Sequence, residues 1–72
     1  MKVTVIIEKD EFGYYAYCPE LKGCHTQGDT LDEALKNIKE AVELYLETLD
    51  EEEKRILSNK EILTTFLEVQ LA

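Results

Sequence analysis

"GYYAYCPELKGCHTQGDTLDEAL" (residues 13–35) holds three tyrosines, two cysteines, a histidine, a proline and the start of a helix. Residues 14–18 form an aromatic and apolar run that predicts a strand. In such a strand Tyr15 and Tyr17 point one way and Tyr14, Ala16 and Cys18 the other. Pro19 offers no N–H and ends the ladder. Gly23 permits a backbone angle closed to other residues, so 19–23 reads as a turn and 24–27 as a short third strand. Thr30 followed by Glu33 has the spacing of a capping box. Asp32 and Glu33 also suit the positive end of a helix dipole. Leu31, Ala34, Leu35, Ile38, Ala41, Val42, Tyr45 and Leu49 then repeat at helical spacing. The pattern predicts a helix over about 31–49, with Glu33, Lys36, Glu40, Glu43 and Glu47 in water.

Toward the N-terminus, residues 2–8 alternate, with Val3, Val5 and Ile7 on one face and Lys2, Thr4, Ile6 and Glu8 on the other. They predict the first strand, joined to the second by the polar hairpin connection 9–13. Toward the C-terminus, Asp50 and Glu53 are spaced to cap a short helix over 51–57. Residues 58–66 fit either structure: Ser58 with Glu61 resembles a further capping box, whereas "TTFLEV" is rich in strand formers. The alternation of Leu67, Val69 and Leu71 with Glu68 and Gln70 favours a strand over 63–71.

The expected order is therefore β-β-β-α-β, an α+β fold with a single domain over 1–72. A right-handed crossover returns the last strand beside the first and parallel to it, in the order 3-2-1-4. One main helix covers one face of that sheet. The other face, carrying Thr4, Ile6, Tyr14 and Ala16 or their alternates, is too apolar to be left wet, which predicts a homo-oligomer, dimer or tetramer, or a bound partner. Tyr15, Tyr17 and Tyr45 are expected to supply core area and Tyr14 to be presented.

Composition narrows the function classes. Of 72 residues 44% are apolar, enough for a core, while 16 acids against 8 bases give a net charge of −8. Such a surface repels a phosphate backbone, so direct binding to nucleic acid is not expected. It suits a basic protein partner, although ordinary solubility also explains it. There is no apolar run long enough to span a bilayer and no leader-like N-terminus, which places the chain in the cytoplasm and off the membrane.

Cys18, Cys24 and His25 are the candidates for chemistry. A structural zinc site takes four ligands, and His25 faces away from Cys24 if both lie in a strand. A disulfide across the turn is geometrically open but disfavoured in a reducing compartment. No base or orienting residue accompanies either thiol as a nucleophile. The plain reading is two small buried side chains, with no cofactor, no metal and no catalytic residue.

Residues 13–47 closely resemble the N-terminal domain of HicB-type antitoxins, a UPF0150-like group. The matching features are an aromatic–Ala–x–Cys–Pro–x–Leu–x–Gly–Cys turn, then Gln–Gly–Asp–Thr, then a Glu–Ala–Leu–x–x–Ile helix. The resemblance implies a partial ribonuclease-H-like fold. It also implies the antitoxin of a type II toxin–antitoxin pair, whose toxin is a small basic HicA-like ribonuclease that cleaves messenger RNA and is blocked by occlusion. Many relatives continue into a DNA-binding domain, and no such segment follows in this sequence, so operator binding by this chain alone is not expected. Active ribonuclease H members hold two metal ions on several carboxylates; here the first strand has no acid before Glu8, so no enzyme is expected. The alternative is an orphan HicB-like structural or regulatory module with another protein partner. The expected partner contacts are Glu8, Asp10 and Glu11 at the hairpin, Tyr14, and Glu20 in the turn, with Glu40, Glu43 and Glu47 on the helix.

Overall fold

The computed structural model describes residues 1–71. Five elements follow in order: β1 (Ile6–Asp10), β2 (Gly13–Tyr17), β3 (His25–Gly28), α1 (Leu31–Glu47) and α2 (Glu51–Ser58). The strands form one antiparallel sheet in the order β1-β2-β3. Asp10 stands opposite Gly13 across the first hairpin, and its Oδ1 accepts the Phe12 N–H at 2.8 Å. That local side-chain bond stabilises the reversal.

Register decides what each face carries. Ile7, Ala16 and Thr26 lie abreast, as do Lys9, Tyr14 and Gly28; this face meets α1. The opposite face carries Ile6, Tyr17 and His25 in one row and Glu8, Tyr15 and Gln27 in the next. The tyrosine expectation is thereby reversed. Tyr15 and Tyr17 stand on the open face, and Tyr14 packs at the margin of the core. The cause is the closeness of the helix. A Cβ on Gly28 would fall 2.6 Å from the Ala34 nitrogen, and Ala16 and Ala34 are both fully buried. Side chains without bulk occupy the contact between β2, β3 and α1, and the large rings are displaced to the other side.

α1 is capped as its sequence demands: Thr30 Oγ1 accepts the Glu33 N–H at 3.1 Å. Asn37 Nδ2 donates to the Gln27 carbonyl at 2.9 Å and ties the helix to β3. Ala34, Ile38 and Val42 form its buried stripe. α2 begins with a complete capping box between Asp50 and Glu53. Its surface carries ion pairs from Arg55 to Glu52 and Lys54 to Glu51, and its Leu57 rests against the core.

Two departures from expectation concern the chain ends. Val3 and Val5 pack on the core, but the first strand starts at Ile6 rather than Lys2. The Thr4 N–H is taken by the Glu20 carboxylate at 2.8 Å instead of a ladder partner. The expected fourth strand over 63–71 is absent from the sheet: residues 60–71 carry neither helix nor strand. Alternation there supplies a strand's side-chain period, but a strand forms only against a partner edge, and among the described residues the segment is paired with neither edge of the sheet. Leu63, Phe66, Leu67, Val69 and Leu71 are all more than 70% exposed.

Candidate partner-binding surface

The turn between β2 and β3 is a plug in the core rather than a surface loop. The Cys18 N–H donates to the Cys24 carbonyl at 3.1 Å, and Leu21 and Cys24 bond back within the turn at 3.1 and 3.0 Å. Gly23, at φ 81°, supplies the left-handed residue that closes it. Cys18, Leu21 and Cys24 are buried together, and both thiols are free. Burial pushes both thiols above the ordinary cysteine value, so neither is a ready nucleophile. Cys24 is buried and His25 exposed against the Tyr15 ring, so the two do not converge. Among the described residues no three His, Cys, Asp or Glu side chains are grouped to hold a metal ion.

Glu20 belongs to this plug and is corrected from the list of expected contacts. It is 8% exposed; Oε2 accepts the Thr4 N–H, and the Cys18 thiol donates toward Oε1 at 3.7 Å. Burial alone would raise its pKa, but the donors around it, Thr4 foremost, more than offset this and hold the carboxyl below its ordinary value. It straps the N-terminal segment to the turn. Tyr14 is likewise half-buried, with the Lys9 ammonium 5.5 Å over its ring, and is not the presented tyrosine.

The remaining expected contacts fall on two exposed acidic surfaces. Glu40, Glu43 and Glu47 line a shallow face of α1 around Leu44, itself 63% exposed. Asp10 and Glu11 mark the hairpin end and Glu8 the open sheet face. There Asp10 joins Phe12, Tyr15, Gln27, Asp29 and Glu33 around a cleft of about 380 Å³ whose lining contains no cationic side chain. Phe12 is 85% exposed at its lip.

Asp29, Glu33, Phe12 and Tyr15 were not expected as contacts. Asp29 and Glu33 read as helix-launching residues, which they also are, and only the tertiary approach of β3 to β2 brings them beside Asp10. Phe12 did carry a signal, a large aromatic in a hairpin connection of otherwise polar residues. The cleft's chemistry is well defined. Three carboxylates, those of Asp10, Asp29 and Glu33, line the one cleft, and charges of one sign lining a cleft reinforce one another's field. A carboxylate can take a guanidinium in a bidentate pair, and an aromatic face can take the same cation by stacking.

The profile of a family described as "HicB-like antitoxin of bacterial toxin-antitoxin system" matches residues 3–70. A UPF0150 protein of Helicobacter pylori strain J99 is 49% identical over 72 residues, the whole of both chains. A UPF0150 protein of Thermoplasma acidophilum is 56% identical over 57 residues, 78% of this chain and 83% of its own. One from Archaeoglobus fulgidus is 58% identical over 48 residues, 65% of this chain and 70% of its own. No solved structure gives a significant match.

Proposed function

Because the chain belongs to the HicB-like antitoxin family of bacterial toxin–antitoxin systems, we propose that it is an antitoxin that binds a small basic HicA-like ribonuclease and covers its RNA-binding surface. It works by occlusion and catalyses no reaction. The observation that carries this reading is the acidic, aromatic cleft of Asp10, Phe12, Tyr15, Asp29 and Glu33. A toxin that must hold RNA presents clustered Lys and Arg. A −8 surface steers such a protein by long-range attraction, and the cleft receives one cationic side chain as an anchor. Glu8, Asp10 and Glu11 extend the same field along the hairpin. Glu40, Glu43 and Glu47 form a second acidic ridge of lesser weight, because no aromatic ring joins them on the shallow surface they share with Leu44.

The test is co-expression with a small basic protein encoded beside this gene. Co-purification and rescue of growth are expected. Phe12→Ala combined with Asp29→Lys removes the anchor without touching a buried group. It is expected to weaken the complex by roughly 30-fold or more, the scale of a desolvated charge pair of about 2–5 kcal/mol. Glu40→Lys with Glu47→Lys is expected to cost less than tenfold, as rim charges do. If the unaltered chain neither co-purifies nor restores growth, the reading fails, and an orphan regulatory module with another partner takes its place.

A further inference from the structure

β1 is an edge strand: it pairs with β2 and nothing pairs with its other side among the described residues. Along the residues that lead into that strand runs an apolar groove of about 390 Å³ between the N-terminal segment and α1. Val3 and Val5 form one wall, and Leu35, Ile38, Val42 and Leu46 the other. An open edge next to an apolar trough is a receptor for an added strand. The same chain carries a segment of matching chemistry. In residues 62–71 the odd positions are Leu63, Thr65, Leu67, Val69 and Leu71, and the even ones are Ile62, Thr64, Phe66, Glu68 and Gln70. Four of the five odd side chains are apolar, and those four are 72–89% exposed.

We infer that residues 62–71 of one copy add as a strand to the β1 edge of a second copy. Leu63, Leu67, Val69 and Leu71 fill the groove, and the exchange is reciprocal. Three observations select a second copy as the occupant. From Leu63 onward the segment already stands exposed, in a molecule 47 Å long and only 16 Å thick, so only the half-buried Ile62 has its surroundings changed when the segment reaches another chain. Ten residues reach up to about 33–36 Å when extended, enough to run the length of a 17-residue helix of about 26 Å. The reciprocal arrangement also covers both arms and both grooves at once, as closed two-fold symmetry requires. The inference does not depend on toxin capture: the arm and groove lie apart from the acidic cleft, and either proposal can fail alone.

Sedimentation equilibrium on the full chain tests it. The expected species is a dimer of twice the 8.3 kDa chain mass. Leu67→Asp with Val69→Asp, both exposed and so harmless to the monomer's core, is expected to weaken association by roughly 30-fold or more, the scale of losing buried anchors. Leu35→Asp, on the groove's half-exposed rim, is expected to do the same. A mixture of the two variants is expected to associate more tightly than either alone, because one intact arm meets one intact groove. A wild-type chain that stays monomeric up to hundreds of micromolar overturns the inference, as does a dimer indifferent to both variants. A mixture no tighter than its components overturns it too.

Discussion

The turn at 18–24 and the segment at 60–71 are both short and both lie outside the regular elements. They are opposite in every physical respect. The turn carries a proline, a glycine and two charged residues, the composition of a surface loop, yet Leu21 and Cys18 are at 1% and 2% exposure and Glu20 at 8%. The C-terminal segment is the more apolar of the two, yet Phe66 is fully exposed. Hydropathy does not assign burial by itself; partners do. The turn has them: Cys24 for its backbone, Thr4 for its acid and the α1 stripe for its leucine. Among the described residues the segment is paired with no strand, and its large apolar side chains from Leu63 onward stand exposed.

That contrast breaks most readily at Leu21, one of the two largest fully buried side chains. Leu21→Ala leaves a cavity in a core made mostly of small residues and is expected to cost about 2–5 kcal/mol, read as a lowered denaturation midpoint in urea. An unchanged midpoint would mean that the turn is a surface loop after all. The next largest effect is expected at Glu20. Glu20→Ala leaves the Thr4 N–H without its acceptor and frees the N-terminal segment, for about 1–3 kcal/mol.

Glu20 also carries a pH signature. Its folded pKa is depressed, so on acidification the unfolded chain takes up the proton first. The stabilisation is present above the ordinary glutamate value, about 4.3, and is lost as pH falls through the folded value. Glu20→Gln is expected to fall below the wild type at neutral pH and to approach it in acid. A stability gap that stays constant across that window would show that the charge of Glu20 contributes nothing.

The same distinction between local and distant partners separates what the sequence disclosed from what it concealed. The Thr30 and Asp50 caps, the α1 stripe, the two hairpins and the inward cysteines were legible, because each depends on residues a few positions apart. Glu20 was misassigned because its donor lies 16 residues upstream and nothing in "PELKG" announces it. The tyrosine faces were inverted for a related reason. Alternation separates Tyr15 and Tyr17 from Tyr14 and Ala16, but only the approach of α1 at Gly28 and Ala34 decides which set turns inward. The acidic cleft was half legible: Asp10 was expected, while Asp29 joins it from the end of β3 and Glu33 from the first turn of α1.

The smallest expected effect is the sharpest form of the comparison, because it makes the same substitution in the other region. Leu63→Ala removes the same atoms as Leu21→Ala, from a side chain 83% exposed instead of 1%. In the dilute monomer the stability change is expected to stay within about 0.5 kcal/mol, as for surface sites generally. The measurement is urea unfolding at a concentration where sedimentation shows single chains. A loss above about 1 kcal/mol there would place the leucine against its own body, and the segment would then be an intramolecular strand rather than an arm. At higher concentration the same variant is expected to diverge from the wild type, since linkage adds the energy of association to the apparent stability. A side chain that is neutral alone and costly in company has its burial in another molecule, and that dependence on concentration is the property no single-chain feature of the turn can imitate.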